Sequence, residues 1–293
     1  MKMPRRDLDL AAVLHQLDPG LGQAWIEELG EGWDNVAYAV RRPVGDDLLL
    51  RISKFADPEE RARTLHTDVA LLDFVAAHAT LATNRVLAAD PQTGALLLTP
   101  VPGRSADLLS PADPARAARE LGVFLARLHT AEPPPGLVKP GRDLGLWRRE
   151  AASAWGEARA LFAEDVQREV DSFLAAPLPP RPERMVFCHN DLGDEHVIVD
   201  PASGQISGVI DWSDAVHDDP ARDFALLLFD FGDAFFEGAW AAYGGTDEQL
   251  PVRARWYGAR AGILGVCDRA RRGDPGLTAS LARLRSVLAR PAT

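Results

Sequence analysis

Cysteine, lysine and long apolar runs are all scarce in this 293-residue chain. The two cysteines, Cys188 and Cys267, exclude a disulfide framework and an all-cysteine zinc site. Cys188 sits in an apolar run and reads as a buried structural thiol. Only Lys2, Lys54 and Lys139 are lysines among the 32 basic residues; with many Ala, Arg and Pro, this is a compositional bias without mechanistic content. No apolar stretch reaches the roughly 20 residues of a membrane span. The start Met-Lys-Met-Pro-Arg-Arg has no apolar segment behind it, because Asp9, His15 and Gln16 interrupt Leu8–Leu17. That is not an export signal, and the cytoplasm is the expected location. Positive charge is also in deficit: 43 acids against 32 bases give a net charge of −11. Such a chain repels nucleic acid and anionic membranes unless a basic patch intervenes. The short arginine cluster at 269, 271 and 272 lacks the interleaved aromatics of such a patch.

What is present is the composition of a folded protein, 46% hydrophobic and 26% charged, which excludes wholesale disorder, collagen and coiled coil. The length suits one large domain or two sharing a cleft. The first hundred residues read as strand-rich. Strands are expected at 24–29, 36–42, 48–53, 85–89 and 95–99, with short helix 8–17 and long helix 59–77. Pro100-Val-Pro-Gly103 reads as a linker. Beyond it the pattern is helical (114–130, about 144–175, and from 224 onward), interrupted by short apolar strands at 185–188, 197–199 and 208–210. The expected organisation is α+β: a lobe over 1–99, a hinge over 100–104 and a larger lobe over 105–293.

The densest polar segment is Cys188-His-Asn-Asp191-Leu-Gly-Asp-Glu-His196, flanked by apolar strands. Twenty residues after Asp191, strand 208–210 ends in Asp211-Trp212. Two strand ends that each present a carboxylate, with an imidazole between them in sequence, can converge on one metal site. A lone aspartate there is usually a turn or cap residue; the combination is far more specific.

These residues carry a resemblance. His189-Asn-Asp191-Leu-x-x-x-His196 looks like the kinase catalytic loop, and Ile210-Asp211-Trp212 stands where kinases have the metal-binding Asp. Lacking Asp-Phe-Gly, and followed by Asp219-Pro-x-x-Asp223-Phe-Ala225, the pattern resembles the aminoglycoside phosphotransferase family, whose members phosphorylate hydroxyls of aminoglycosides, macrolides and other small molecules. Leu125-Ala-Arg-Leu-His129 is also similar to the family. The resemblance implies a protein-kinase-like two-lobe fold, with a small β-rich lobe carrying one long helix and a larger, mainly helical lobe. It implies Asp191 as catalytic base, and His196 and Asp211 as Mg²⁺ ligands. His189 is then an orienter of the loop, and Asp223 its backbone anchor. ATP or GTP is the implied donor, since backbone hinge contacts do not separate the bases. Its phosphates fall to Gly30, Gly32, Asn35 and Arg51, with Asp68 orienting Arg51 and Lys54 as a rival cation. Thr99 carbonyl and Val101 amide fall to the adenine.

At position 196 most kinases have Asn, and the imidazole is a softer ligand. A helix over 229–237 offers Asp230, Asp233 and Glu237 as an acidic wall for an amine-bearing acceptor. The implied partners are a nucleotide and a small molecule, with no nucleic acid and no membrane, for a monomer or homodimer. Two other readings fit some of the same residues. One is a metal-dependent phosphohydrolase with a dinuclear site of His189, Asp191, His196, Asp211, His217 and Asp218. The other is an inactive binding protein of kinase fold.

Overall fold

The structure is a computed structural model and describes residues 5–289; the basic start Met1–Pro4 lies outside them. In chain order the elements are α1 (Leu10–Leu17), β1 (Trp25–Glu31), β2 (Asn35–Arg41), β3 (Leu48–Ser53), α2 (Pro58–His78), β4 (Val86–Asp90), β5 (Ala95–Leu98), β6 (Arg104–Ser105), α3 (Pro114–Leu128), β7 (Lys139–Pro140), α4 (Leu144–Ala158), α5 (Glu164–Ala175), β8 (Val186–Cys188), β9 (Val197–Val199), β10 (Ile206–Val209), β11 (Val216–Asp218), α6 (Ala221–Phe231), α7 (Asp233–Tyr243), α8 (Leu250–Arg272) and α9 (Leu277–Leu288). They form two compact units: residues 1–102 with 207–213, and residues 103–206 with 214–293.

In the smaller unit, five antiparallel strands run in the order β1-β2-β3-β5-β4. Alternation on β3 divides its side chains between two faces. Leu48, Leu50 and Ile52 join Val13 and Leu14 of α1, Val40 and Leu97 in one apolar cluster. Leu49 and Arg51 point the other way, and Arg51 meets Asp68 of α2. Helix α2 starts where Asp57 accepts from the Glu60 amide, with Pro58 in the first turn, where a missing N–H costs nothing.

The segment 207–213 is tied into this unit by its backbone. Val209 donates to the Ala82 carbonyl, and Gly208 lies so close that a Cβ there would stand 2.3 Å from that oxygen. Trp212, wholly buried, donates its indole N–H to Thr83 Oγ1 at 3.0 Å.

The larger unit is helical. Trp155, Phe162, Val166 and Val170 from α4–α5 pack with Ile263, Val266 and Cys267 of α8 and Leu284 of α9. Three short strand pairings carry its polar loops: β6 runs antiparallel to β9, and β11 pairs antiparallel with β8 and parallel with β7. Both cysteines are buried, and burial pushes each thiol pKa up, as for structural residues. The expected helix over 229–237 is two helices. Gly232 has φ +87°, a conformation that costs glycine nothing, so α6 ends at Phe231 and α7 starts afresh at Asp233. No described helix is long and apolar enough to cross a membrane.

Candidate active site

The loop after β8 is held by one buried carboxylate. Asp223, fully buried in the first turn of α6, accepts from the His189 amide at 3.0 Å and the Asn190 amide at 2.7 Å. It also pairs with His129 Nε2 at 3.0 Å, while His129 Nδ1 meets the Tyr243 hydroxyl. Burial alone would raise the Asp223 pKa; the His129 hydrogen bond, the two histidine charges and the Asn190 N–H outweigh it and hold it below the ordinary value. His189, buried, receives the Asp191 amide on Nδ1 at 3.3 Å. It therefore orients the loop.

Asn190 bridges the rest. Its Nδ2 donates to the Asp214 carbonyl at 3.0 Å, and its Oδ1 accepts from Arg222 Nε. Arg222 itself lies 4.5 Å from the Trp147 ring and 5.0 Å from the Tyr257 ring. Asn190 (φ +73°) and Asp211 (φ +62°) are the only non-glycine residues with positive φ among the described residues. Both belong to the two motifs read from sequence. Strain of this kind persists only where surrounding bonds over-determine it, and it concentrates at functional sites.

Asp191 emerges 41% exposed, with the His196 ring beside it. His196 Nδ1 lies 2.6 Å from the Asp191 carbonyl oxygen. A carbonyl only accepts, so the neutral ring carries its proton on Nδ1 and its lone pair on Nε2, the form suited to a metal ligand. The carboxylates of Asp191 and Glu195 and a His196 ring nitrogen gather within 4.8 Å of one another. Asp194, Glu195 and Asp230 form a second such group, in which the Asp194 amide donates to Asp230 and Arg283 reaches both Asp194 and Asp230. Sequence reading gave Asp194 and Glu195 no role; the adjacent acidic pair inside the motif was the signal available. Asp233 is neutralised by Arg255, and Glu237 is exposed on α7. Within the larger unit, none of these compact ligand groups among the described residues takes in His189, His217 or Asp218.

Burial and the neighbouring acids Asp194 and Glu195 push the Asp230 carboxyl up to about 7, and burial pushes Asp194 to about 6. The sign follows from linkage. The unfolded chain releases the Asp230 proton near the ordinary value of 3.8 and the folded chain keeps it until about 7, so stability falls as pH rises through that window. Asp230→Asn is expected to match wild type near pH 4 and to exceed it by about 2 kcal/mol at pH 8. Denaturant unfolding of both proteins at the two pH values checks this.

In the smaller unit, the Arg51 guanidinium donates to Asp68 at 2.5 Å, each side chain 17% exposed. Burial raises the Asp68 pKa; Arg51 opposes the rise, and Asp211 and Asp34 add to it. Arg51, Asp68 and Asp211 thus share one electrostatic neighbourhood. Asp211 also accepts from the Ser213 hydroxyl at 2.6 Å.

Lys54 is held differently from Arg51. It follows β3 on the opposite face, beside a 360 Å³ cavity also lined by Val36, Tyr38 and Ile52. Its buried Nζ donates to Glu31 Oε1 at 2.9 Å and to the Gly32 carbonyl at 2.7 Å. With Arg5 pairing Glu28 and Glu31, it clamps the β1–β2 hairpin, and these hydrogen bonds depress the Glu31 pKa to about 2. Within the hairpin, Gly32 donates to the Asn35 carbonyl at 2.9 Å, and Gly30 follows a register shift. At the end of β5, Thr99 is held by the residues just before β4: its amide donates to the Arg85 carbonyl, and its own carbonyl accepts from the Asn84 side chain at 2.9 Å. Val101 packs against Gly208.

These roles separate by experiment. Arg51→Ala is expected to weaken nucleotide binding about 10–100-fold, the worth of a charge-assisted hydrogen bond, with partial recovery in Arg51→Lys. Lys54→Ala should chiefly lower the melting temperature. Calorimetric titration with nucleotide, beside thermal melts, checks both; equal affinity loss in the two would contradict the assignment.

The family model described as the APH phosphotransferase enzyme family matches residues 25–257. The protein belongs to that family. Viomycin phosphotransferase from Streptomyces vinaceus is 27% identical to this chain over 172 residues, 54% of this chain and 59% of the relative. The chain thus spans about three fifths of the length of the curated relative it matches. Two solved structures show the same fold. The GDP complex of wild-type aminoglycoside 2'-phosphotransferase-IIIa superposes with TM-score 0.74 at 19% identity, covering 97% of this chain and 99% of that one. Macrolide 2'-phosphotransferase MphH from Brachybacterium faecium gives TM-score 0.64 at 22% identity, covering 94% and 98%. The α+β fold of this chain is therefore the kinase-like one.

Proposed function

We propose that this phosphotransferase moves the γ-phosphoryl group of ATP or GTP to a hydroxyl of a small-molecule antibiotic such as an aminoglycoside or macrolide. The observation that carries the reading is the Asp223 clamp: one buried carboxylate takes the two successive amides leading into an exposed Asp191. A loop so fixed can present one carboxylate to an incoming hydroxyl repeatedly in the same geometry, which is most of what phosphoryl transfer needs from protein. In this reading Asp191 orients the acceptor hydroxyl and accepts its proton as the oxygen attacks. Arg51, braced by Asp68, neutralises phosphate charge through a bidentate fork. Gly30, Gly32 and Asn35 shape the phosphate loop that Lys54 clamps, and Thr99 and Val101 receive the base.

Asp211 and His196 are the proposed Mg²⁺ ligands. A carboxylate oxygen suits that hard ion, and the Nδ1-protonated imidazole supplies the second donor. When bound, Mg²⁺ neutralises the phosphate charge that develops during transfer. Asp230, grouped with Asp194 and Glu195, is one candidate acidic surface for acceptor amines, and Asp233 and Glu237 on α7 are another; Arg283 pairs with Asp230 as Arg255 does with Asp233. The names of the relatives, viomycin, aminoglycoside and macrolide phosphotransferases, support an antibiotic acceptor, and the GDP complex of one relative supports a nucleotide donor. The test is a nucleotide-consumption screen of the purified protein against viomycin, aminoglycosides, macrolides and small amino alcohols. Consumption that depends on one of these compounds is expected; nucleotide loss indifferent to every compound would defeat the reading.

A further inference from the structure

Asn190, the residue before Asp191, is held at three atoms within the larger unit. Its amide donates to Asp223 at 2.7 Å, its Nδ2 donates to the Asp214 carbonyl at 3.0 Å, and its Oδ1 accepts from Arg222 Nε. Its backbone is left-handed, with φ +73°, a region that costs an L-residue free energy and persists where neighbouring bonds enforce it. Asp223 holds the amide side of the residue, and the two carboxamide bonds hold its Cβ. With N and Cβ fixed, the tetrahedral Cα leaves the chain one direction toward Asp191.

Arg222 is placed to aim a single N–H. It is buried, and its guanidinium lies 4.5 Å from the Trp147 ring of α4 and 5.0 Å from the Tyr257 ring of α8. Asp218 Oδ2 stands 3.7 Å from Nε and balances the charge. Aromatic rings from two helices keep the planar group from turning, so Nε stays directed at Asn190; a lysine ammonium has no such plane to hold. Arg222 and Asp223 are consecutive at the start of α6. One grips the side chain of Asn190 and the other grips the main chain that enters it.

We propose that Arg222 is a positioning residue for Asp191: through Asn190 Oδ1 it sets the direction in which the Asp191 carboxylate meets the acceptor hydroxyl. The role of Asp191 rests on the phosphotransfer reading; the grip of Arg222 on Asn190 does not.

Gln and Met reach as far from Cα as Arg Nε does, and Gln ends that reach in an N–H donor where Met ends in a methyl. Arg222→Met is expected to lower kcat about 10–100-fold, the scale of a small misplacement of a reacting group, with nucleotide affinity unchanged. Arg222→Gln should recover part of that loss, although both variants lose the same charge and the same ring contacts. A packing or charge role predicts equal losses. Asn190→Gly keeps the left-handed backbone and removes the carboxamide; Arg222→Met added to it should lower kcat no further. If Arg222→Met does not fold, Arg222→Gln with and without Asn190→Gly makes the same comparison. A second readout needs no turnover. The chain has three asparagines, Asn35, Asn84 and Asn190, so nitrogen-15 asparagine labelling gives three side-chain amide signals. The Asn190 signal, identified by its loss in Asn190→Gly, should shift and exchange faster in Arg222→Met, while the other two stay in place. Equal kcat losses in Arg222→Met and Arg222→Gln, a loss that adds to that of Asn190→Gly, or an unmoved Asn190 signal overturns the proposal. Absence of transfer by the wild type to any acceptor is instead the failure of the phosphotransfer reading and takes the role of Asp191 with it; the labelled signal then still decides the grip of Arg222 on Asn190.

Discussion

Asp191→Asn is expected to lower kcat by about 10²–10⁴ while leaving nucleotide affinity and the melting temperature close to wild type. The reasoning is geometric. Asp191 is exposed at the end of a loop fixed by His189, Asn190 and Asp223, and its own amide and carbonyl are engaged by His189 and His196. Asn fits the same space with the same backbone bonds. What Asn lacks is the capacity to accept a proton. Steady-state kinetics beside a nucleotide titration checks the split; a fall in nucleotide affinity as large as the fall in kcat would move Asp191 out of the base role.

Asp223→Ala is expected to cost about 3–5 kcal/mol of stability and to abolish measurable transfer. Three donors converge on this carboxylate: His129 Nε2 and the amides of His189 and Asn190. Removing the acceptor strands them in a region without solvent access, at about 1–3 kcal/mol for each unsatisfied group. Asn at this position keeps one acceptor oxygen and should recover part of the loss. Because the Asp223 pKa is depressed, its contribution is present above the ordinary carboxylate value and is lost as pH falls through the lower folded one, so wild type and Asp223→Ala should converge in stability at strongly acid pH. Thermal melts across pH, with kcat at neutral pH, test this.

The residues carrying these predictions were legible in the chain because each motif is local. His189, Asn190 and Asp191 are consecutive, and the Asp219-Pro-x-x-Asp223 pattern opens a helix whose first turn faces the loop. The long elements were legible too: α2 and α3 combine apolar periodicity with an Asp-Pro start, and those signals survive any tertiary context. Strands β6, β7 and β11, of two or three residues, are too short to show periodicity and exist only because partners pair with them. Lys54 illustrates a deeper limit. Its distance along the chain from Arg51 says nothing of Glu31 and Gly32, and only the hairpin's return brings them to its ammonium. Gly232 was visible but ambiguous, since glycine within a helical pattern either breaks it or is tolerated; the positive φ decides. The partnership of Asp230 with Asp194 joins residues 36 apart and follows from how α6 packs on the loop, which no local pattern encodes. The grouping of 207–213 with the first hundred residues likewise rests on the Ala82 and Thr83 contacts, which chain order does not announce.

The most direct test of the account is the fate of the transferred phosphoryl group. Phosphorus NMR of the reaction of purified protein, Mg²⁺, nucleotide and the acceptor found by screening should show nucleoside diphosphate and a phosphate monoester on an acceptor hydroxyl in equal amounts. Asp191→Asn should slow both together. Inorganic phosphate formed in place of the ester, at a rate indifferent to acceptor and to Asp191→Asn, would contradict the account.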